Sequence, residues 1–171
     1  MLNLSKIRQI AKIDRETLPN SNLPISLPFP HRLAARVIQE LGGQRFRPIA
    51  SWVGVDVIFA SNAGVDFQQP IMQLRNVLQL DLVPVAESDN GNGVLLLAPD
   101  GVTFGLSLSA HEVSYFESLE EAVIMLLQGK DLTPVLPVRL YDQEFNWEII
   151  KPGDPRVVWV DTPTWIANTK Y

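Results

Sequence analysis

The stretch from residue 80 to residue 129 constrains the fold most, because short apolar runs alternate there with residues that favour tight turns. The apolar runs are residues 82–86, 94–98 and 102–106, and the intervening turns are residues 87–93 and 99–101. Asn-Gly and Asp-Gly pairs lie in these turns, and both accept the positive φ angles that hairpins require. The pattern predicts three or four short strands joined by hairpins.

An amphipathic helix is predicted to close this stretch. Ser118 is placed as the N-cap, and Glu121 three residues later completes a capping box. Gly129 provides the C-terminal stop. One helix face is apolar, formed by Leu119, Ala122, Val123, Leu126 and Leu127. The sequence therefore predicts an α+β fold in which a mostly antiparallel sheet is packed by helices.

The first half of the chain adds further predicted elements. Residues 4–18 follow helical spacing loosely, with basic residues between the apolar ones, and favour a packed helix over one lying on a membrane. Residues 19–30 contain four prolines and form an extended connector. A second helix follows Pro30, with a buried face formed by Leu33, Ala34, Val37, Ile38 and Leu41, and Gly42 and Gly43 end it.

Two more predicted elements complete the first 80 residues. Residues 48–60 are rich in β-branched side chains and predict a strand or a strand pair. A loop at 61–64 precedes a helix opened by Pro70, with Ile71, Leu74, Val77 and Leu78 on its buried side.

Beyond Lys130, prolines separate short apolar pieces, which form either edge strands or a tail anchored by Trp147, Trp159 and Trp165.

Composition limits the possible classes of protein. The chain has 171 residues, of which 46% are hydrophobic, so it can bury a substantial core. No apolar run approaches the roughly 20 residues of a membrane span, and the first residues do not resemble a signal peptide. The absence of cysteine excludes disulfides, thiolate metal sites and cysteine nucleophiles, and it fits a cytoplasmic location.

The charge is unevenly distributed along the chain. Residues 1–50 carry eight Lys/Arg and three Asp/Glu, for a net charge of +5, whereas residues 51–171 carry −10. Nine acids lie between Asp81 and Asp131, where Lys130 is the only basic residue apart from histidine. Such a segment either keeps the protein in solution or favours a basic partner, and it disfavours direct binding to nucleic acid.

Catalytic and metal-binding patterns are weak. His31 and His111 lack a second histidine at helical spacing, which disfavours a metal site. His31 is interpreted as a partly exposed structural residue, and His111 fits either strand surface or a general base. Ser107 and Ser109 alternate with leucines, as in a half-buried strand. Residues 89–93 carry oxygen ligands but lack the spacing of a calcium loop. We therefore expect neither an enzyme nor a bound metal or cofactor.

Four local motifs, in their order and spacing, resemble the SUKH superfamily, and in particular its third subfamily. One is a helix that ends in Gly42 and Gly43, and a second is the apolar strand at 82–87, with Ala86 where the family usually has glycine. The others are the Gly-strand-Asp-Gly-strand hairpin at 93–102 and the closing helix from Ser118 to Gly129. The resemblance spans residues 31–129.

The resemblance implies a SUKH-like α+β domain at 31–130, preceded at 1–30 by a helix and the proline-rich connector and followed at 131–171 by a Pro/Trp-rich extension packed on the same domain. It also implies a bacterial immunity protein that binds and neutralises a toxin, often a nuclease. Nuclease toxins are basic because they bind phosphates, so the acidic segment fits such a partner. The candidate contact residues are Glu87, Asp89, Asp100, Glu112 and Glu117.

Two other functions remain open at this point. One is a regulatory or structural adaptor of the same fold, which would bind a housekeeping protein partly through the tryptophans of the 131–171 extension. The other is a hydrolase centred on His111, which would also require a partner group and a pocket. The sequence does not fix the oligomeric state.

Overall fold

The computed structural model contains one antiparallel sheet and four α-helices within the residues that it describes. It describes residues 2–15, 31–50, 54–60, 63–107, 112–130 and 134–137. Within these ranges the helices are α1 (Leu4–Ile7), α2 (Arg32–Leu41), α3 (Gln68–Leu78) and α4 (Leu119–Gln128). The strands are β1 (Ala11–Arg15), β2 (Gln44–Pro48), β3 (Val57–Phe59), β4 (Val83–Ser88), β5 (Gly93–Leu97), β6 (Thr103–Ser107), β7 (Glu112–Phe116) and β8 (Pro134–Pro137).

The sheet is antiparallel throughout, and its strands lie in sequence order. Each of β1 to β7 pairs with the next strand along the chain, and β8 pairs with β7 at one edge. The connections β4–β5, β5–β6 and β6–β7 are short, whereas α2, α3 and α4 lie in the connections β1–β2, β3–β4 and β7–β8. The predicted α+β class, with an antiparallel sheet packed by helices, is confirmed.

The central strands agree with the apolar runs of the sequence to within two residues. β5 is buried at all five positions, because side chains on both faces of this strand lie under helices. A strand buried on both faces is continuously apolar rather than alternating. Gly101, with φ of 98°, closes the turn between β5 and β6, as the Asp-Gly pair predicted.

Helices cover both faces of the sheet. One face packs against α1, α2 and α4, and its core includes Ile7, Ile38, Phe46, Phe59, Val85, Leu95, Phe116 and Val123. The other face packs against α3, and its core includes Phe67, Ile71, Leu78, Val94, Leu96, Phe104 and Leu106. The fold is therefore a three-layer arrangement in which the predicted central hairpins form the middle layer.

The ends of α4 are those that the sequence predicts. Ser118 Oγ accepts a hydrogen bond from the Glu121 backbone N–H at 3.2 Å. The Glu121 carboxylate reaches back to the N–H of Glu117 at 2.7 Å, one residue before the N-cap. Gly129 ends the helix in a left-handed conformation with φ of 59°. Leu119, Ala122, Val123 and Leu127 are buried, as expected, and Leu126 is partly buried.

The exposure of the residue that caps α2 differs from the sequence prediction. His31 is the N-cap and is buried, whereas the sequence predicted a partly exposed side chain beside Pro30. Its ring hydrogen-bonds to the backbone on both sides, which compensates for the burial of a polar group. The helix ends before Gly42 and Gly43, as predicted.

The predicted helix over residues 4–18 is wrong over residues 8–15, and residues 16–18 lie outside the described ranges. α1 ends at Ile7, and residues 11–15 form β1, which pairs with β2 in the register Ile13 to Phe46. Backbone pairing with β2 and burial of Ala11 outweigh the loose helical spacing of this basic segment. Residues 11–15 thus belong to the sheet.

The strand boundaries predicted over residues 48–60 are also wrong. β2 ends at Pro48 and β3 begins at Val57, so the described residues 49, 50 and 54–56 are not in a strand, and residues 51–53 lie outside the described ranges. β2 was not predicted from the sequence, because the charged residues Arg45 and Arg47 flank Phe46, which is its buried residue. α3 begins at Gln68, two residues before Pro70, and buries Ile71, Leu74 and Leu78 as predicted.

Several predictions concern residues outside the described ranges. They are the connector at 19–30, residues 61–62 of the predicted loop, Ser109, His111, and the extension beyond residue 137 with its three tryptophans; the predicted burial of Val77 likewise concerns a side chain that is not described. None of the helices in the part of the chain that the structure describes has the length and apolar character needed to span a bilayer.

Candidate functional site

Three of the five candidate contact residues lie at the end of the sheet where β4 turns into β5, called here the β4–β5 end. The strand register makes a row from Ser88 through Gly93 and Ser107 to Glu112. Glu87 and Asp89 flank Ser88 in the chain. Since neighbouring strands are about 4.8 Å apart, this row spans roughly 14 Å. The backbone positions of Glu87, Asp89 and Glu112 therefore lie at the same end of the sheet.

The other two candidates lie at the opposite end of the sheet, called the β5–β6 end. Asp100 is in the turn between β5 and β6, and Glu117 follows β7, whose last residue Phe116 pairs with Thr103. Both side chains are exposed. The two ends of the sheet are about 13 Å apart along β5, because Gly93 and Leu97 are four residues apart and a strand rises about 3.3 Å per residue. The five candidate residues therefore divide between the two ends of the sheet, because successive turns of a meander lie at alternate ends of the strands.

The turn at the β4–β5 end has a rare backbone conformation. Asp89, Asn90 and Gly91 have φ angles of 51°, 53° and 89° in succession. Glycine adopts positive φ freely, whereas Asp and Asn do so only at a cost in free energy. Such conformations persist where the surrounding structure fixes them, and they are concentrated at functional sites.

An ion pair lies directly beneath this turn. Asp56, immediately before β3, contacts the Arg45 guanidinium through its Oδ2 atom. The side chains are only 11% and 22% exposed respectively. Asp56 also accepts hydrogen bonds from two backbone N–H groups of the turn, both at 3.3 Å. Its backbone oxygen accepts from Asp89, and its Oδ1 atom accepts from Asn90. The turn is thus attached to the neighbouring strands.

Glu87 occupies a half-buried position beside the turn. Its Oε1 atom accepts a hydrogen bond from the backbone N–H of Gly64 at 3.3 Å. Gly64 has φ of 77° and precedes a 3₁₀ turn at Val65–Phe67. This contact positions Glu87 and ties the β4–β5 end to the segment that leads into α3. Glu87 therefore combines a structural contact with a place on the candidate surface.

At the β5–β6 end, the acidic side chains have local structural roles. Asp100 Oδ1 accepts from the Val102 N–H at 3.1 Å, which stabilises the turn. Asp81 lies near Arg75, whose Nε donates to the Leu82 carbonyl at 2.8 Å. Burial lowers the pKa of Arg75, and the charge of Asp81 opposes that change. Part of the negative charge at this end is thus offset by a nearby cation.

Asp56 and Arg45 were not identified as site residues from the sequence. Asp56 interrupts an apolar run, and Arg45 precedes the run by several residues, so neither belongs to a turn motif. Their association depends on the pairing of β2 with β3, in which Arg45 lies opposite Ile58. The one sequence signal for Asp56 was the presence of an acidic residue within a run of β-branched residues.

The described residues do not bring together three or more His, Asp or Glu side chains that could hold a metal ion. Ser107 lies on β6 opposite Glu112, and both belong to the row at the β4–β5 end. Chemically, this end offers carboxylates and amides, which accept hydrogen bonds from Lys, Arg and backbone N–H groups.

Comparison of the chain with protein-family models, with curated protein sequences and with solved structures gives no match. The resemblance to the SUKH superfamily therefore rests on the sequence motifs.

Proposed function

We propose that this chain is a non-catalytic, cytoplasmic immunity protein of the SUKH type that binds and neutralises a basic, nuclease-type toxin. The order of elements supports the proposal. α2 ends at two glycines, a β4–β5–β6 meander with a Gly-strand-Asp-Gly-strand hairpin follows, and a capped helix comes after β7. The four motifs that resemble the SUKH superfamily occur in this order. The proposed function gives no residue a catalytic role.

We assign the toxin-binding surface to the β4–β5 end. The observation that carries this assignment is the strand register, which brings Glu87, Asp89 and Glu112 to one end of the sheet. The nearby Arg45 is ion-paired with Asp56, so its positive charge is partly neutralised. Negative charge on a rigid sheet end would accelerate the encounter with a basic protein, because electrostatic attraction steers association.

The surface matches what the proposed partner would present. A nuclease carries Lys and Arg where it contacts phosphates, and acidic residues whose backbone positions span about 14 Å can engage several of these groups together. Occupation of such a surface on the toxin would exclude its nucleic-acid substrate. Neutralisation by this route requires no chemistry from the immunity protein.

A growth assay tests the proposed function directly. Tagged full-length chain is used to capture proteins from the source cell, and each captured protein is expressed alone and together with the chain. The proposal expects one of them to degrade nucleic acid and stop growth when expressed alone, and to be harmless when co-expressed. A captured partner that is not toxic, and whose own activity the chain regulates, would support the adaptor function instead.

A further inference from the structure

The β4–β5 turn contains three successive residues with positive φ, of which only Gly91 is glycine. Asp89 and Asn90 are both left-handed, and Gly91 follows with φ of 89° and open space around the position of a missing Cβ. A run of three left-handed residues needs external contacts to remain populated, because two of the three carry side chains. Those contacts come from outside the turn.

Asp56 and Arg45 supply contacts to both strained residues. The Asp56 backbone oxygen accepts from the Asp89 N–H, and its Oδ1 atom accepts from the Asn90 N–H, both at 3.3 Å. Arg45 Nη2 donates to the Asn90 Oδ1 atom at 3.4 Å. The ion pair between Asp56 and Arg45 links these contacts into one network.

The network is anchored to strands β2 and β3 of the sheet. Arg45 is on β2, opposite Ile58 on β3, and Asp56 directly precedes β3. Val57, the next residue, pairs with Ser88 at the end of β4. Because the pair is mostly buried, its electrostatic interaction is screened less than that of a surface pair. Movement of the turn would therefore require movement within the sheet.

We propose that Asp56 and Arg45 are positioning residues of the toxin-binding surface, which hold the Asp89–Gly91 turn in its left-handed conformation before the partner arrives. This inference rests on the proposed function, in which Asp89 contacts the toxin. A turn that is already ordered loses less conformational entropy on binding, so the complex is tighter for the same contacts. Asp56 and Arg45 act through the turn and need not touch the partner.

The inference is tested by NMR on the ¹⁵N-labelled full chain. A residue with positive φ gives a strong NOE between its own amide and Hα protons, so Asp89 and Asn90 each report their conformation. Asp56→Ala is expected to weaken both NOEs and to increase amide exchange at Asn90 by about tenfold, as expected for loss of one hydrogen bond of about 1.4 kcal/mol. Unchanged NOEs and exchange in a folded Asp56→Ala protein would overturn the proposal.

Asp100→Ala is the matched control. It also removes a side-chain acceptor from a turn N–H, that of Val102, but at the β5–β6 end. It is expected to leave the Asp89 and Asn90 signals unchanged. If Asp56→Ala fails to fold, Arg45→Met provides the same test, because it removes the ion pair and retains the Asp56 carboxylate. Wild-type NOEs in a folded Arg45→Met protein would exclude a positioning role for Arg45.

A rescue experiment separates positioning from general stability. Asn90→Gly allows the left-handed conformation without external support, so the Asp56→Ala/Asn90→Gly double variant is expected to recover most of the toxin affinity lost by Asp56→Ala. A loss of affinity that glycine does not restore would contradict positioning. If no toxin is found, the proposed function fails in the growth assay, while the NMR measurement still decides whether the pair fixes the turn.

Discussion

His31 connects the first turn of α2 to the end of β5 through Leu97. Its Nε2 atom donates to the Leu97 carbonyl at 3.1 Å, while Nδ1 accepts from the Ala34 N–H at 3.0 Å. Since a carbonyl only accepts and a backbone N–H only donates, these two contacts define one neutral tautomer. One side chain thus serves both as the helix N-cap and as a link to the sheet.

His31→Ala is expected to lower the free energy of unfolding by about 2 kcal/mol, because the helix loses its cap and a buried carbonyl loses its donor. His31→Asn restores a capping oxygen but does not reach Leu97, so its loss should be smaller. Urea denaturation measures both. Arg32→Ala, at the neighbouring exposed position, should change stability by less than about 0.5 kcal/mol. Equal stabilities for His31→Ala and wild type would refute the double role.

Glu120 attaches the N-terminal segment to α4. Its Oε2 atom accepts from the Asn3 N–H at 2.7 Å, and Oε1 lies 3.6 Å from Lys6 Nζ. Glu120→Ala is expected to increase hydrogen exchange in α1 while leaving exchange in β5 unchanged. Lys6→Ala removes only the ion pair, which is partly exposed, and should have a small effect. Protection of α1 that is insensitive to Glu120→Ala would show that its apolar contacts suffice to hold it.

Gly93 is required at its position because Ser88 lies too close for a larger residue. A Cβ on Gly93 would lie 2.4 Å from Ser88 Oγ. Gly93→Ala is therefore expected to cost about 1–3 kcal/mol. The Gly93→Ala/Ser88→Ala double variant should recover part of that loss, because the clashing oxygen is gone. A double-mutant cycle measures the coupling, and strictly additive losses would contradict this explanation.

The central hairpins and α4 could be predicted from the sequence because their signals are local. Turn residues, apolar runs and the Ser118–Glu121 capping box lie within a few positions of the structure they determine. β1 and β2 could not be predicted, because both carry charged side chains and are stabilised by pairing with each other. The role of His31 likewise depends on Leu97, 66 residues away.

The candidate site was predictable only in part. The sequence identified the acidic turns, but it did not show that Asp89 and Asp100 flank a five-residue strand and so lie at opposite ends of the sheet. Asp56 was missed because its partners, Arg45 and Asn90, come from separate segments. Long-range pairing therefore decides which acidic residues can act together.

The most direct test of the proposed function compares charge reversal at the two ends of the sheet. Asp89→Lys/Glu112→Lys changes the β4–β5 end, and Asp100→Lys/Glu117→Lys makes the same change in net charge at the β5–β6 end. Association with the captured toxin is measured at low and high salt. We expect the first variant to slow association by roughly tenfold or more at low salt, and the second to slow it much less. Equal effects of the two variants, or a larger effect at the β5–β6 end, would contradict the assignment of the binding surface.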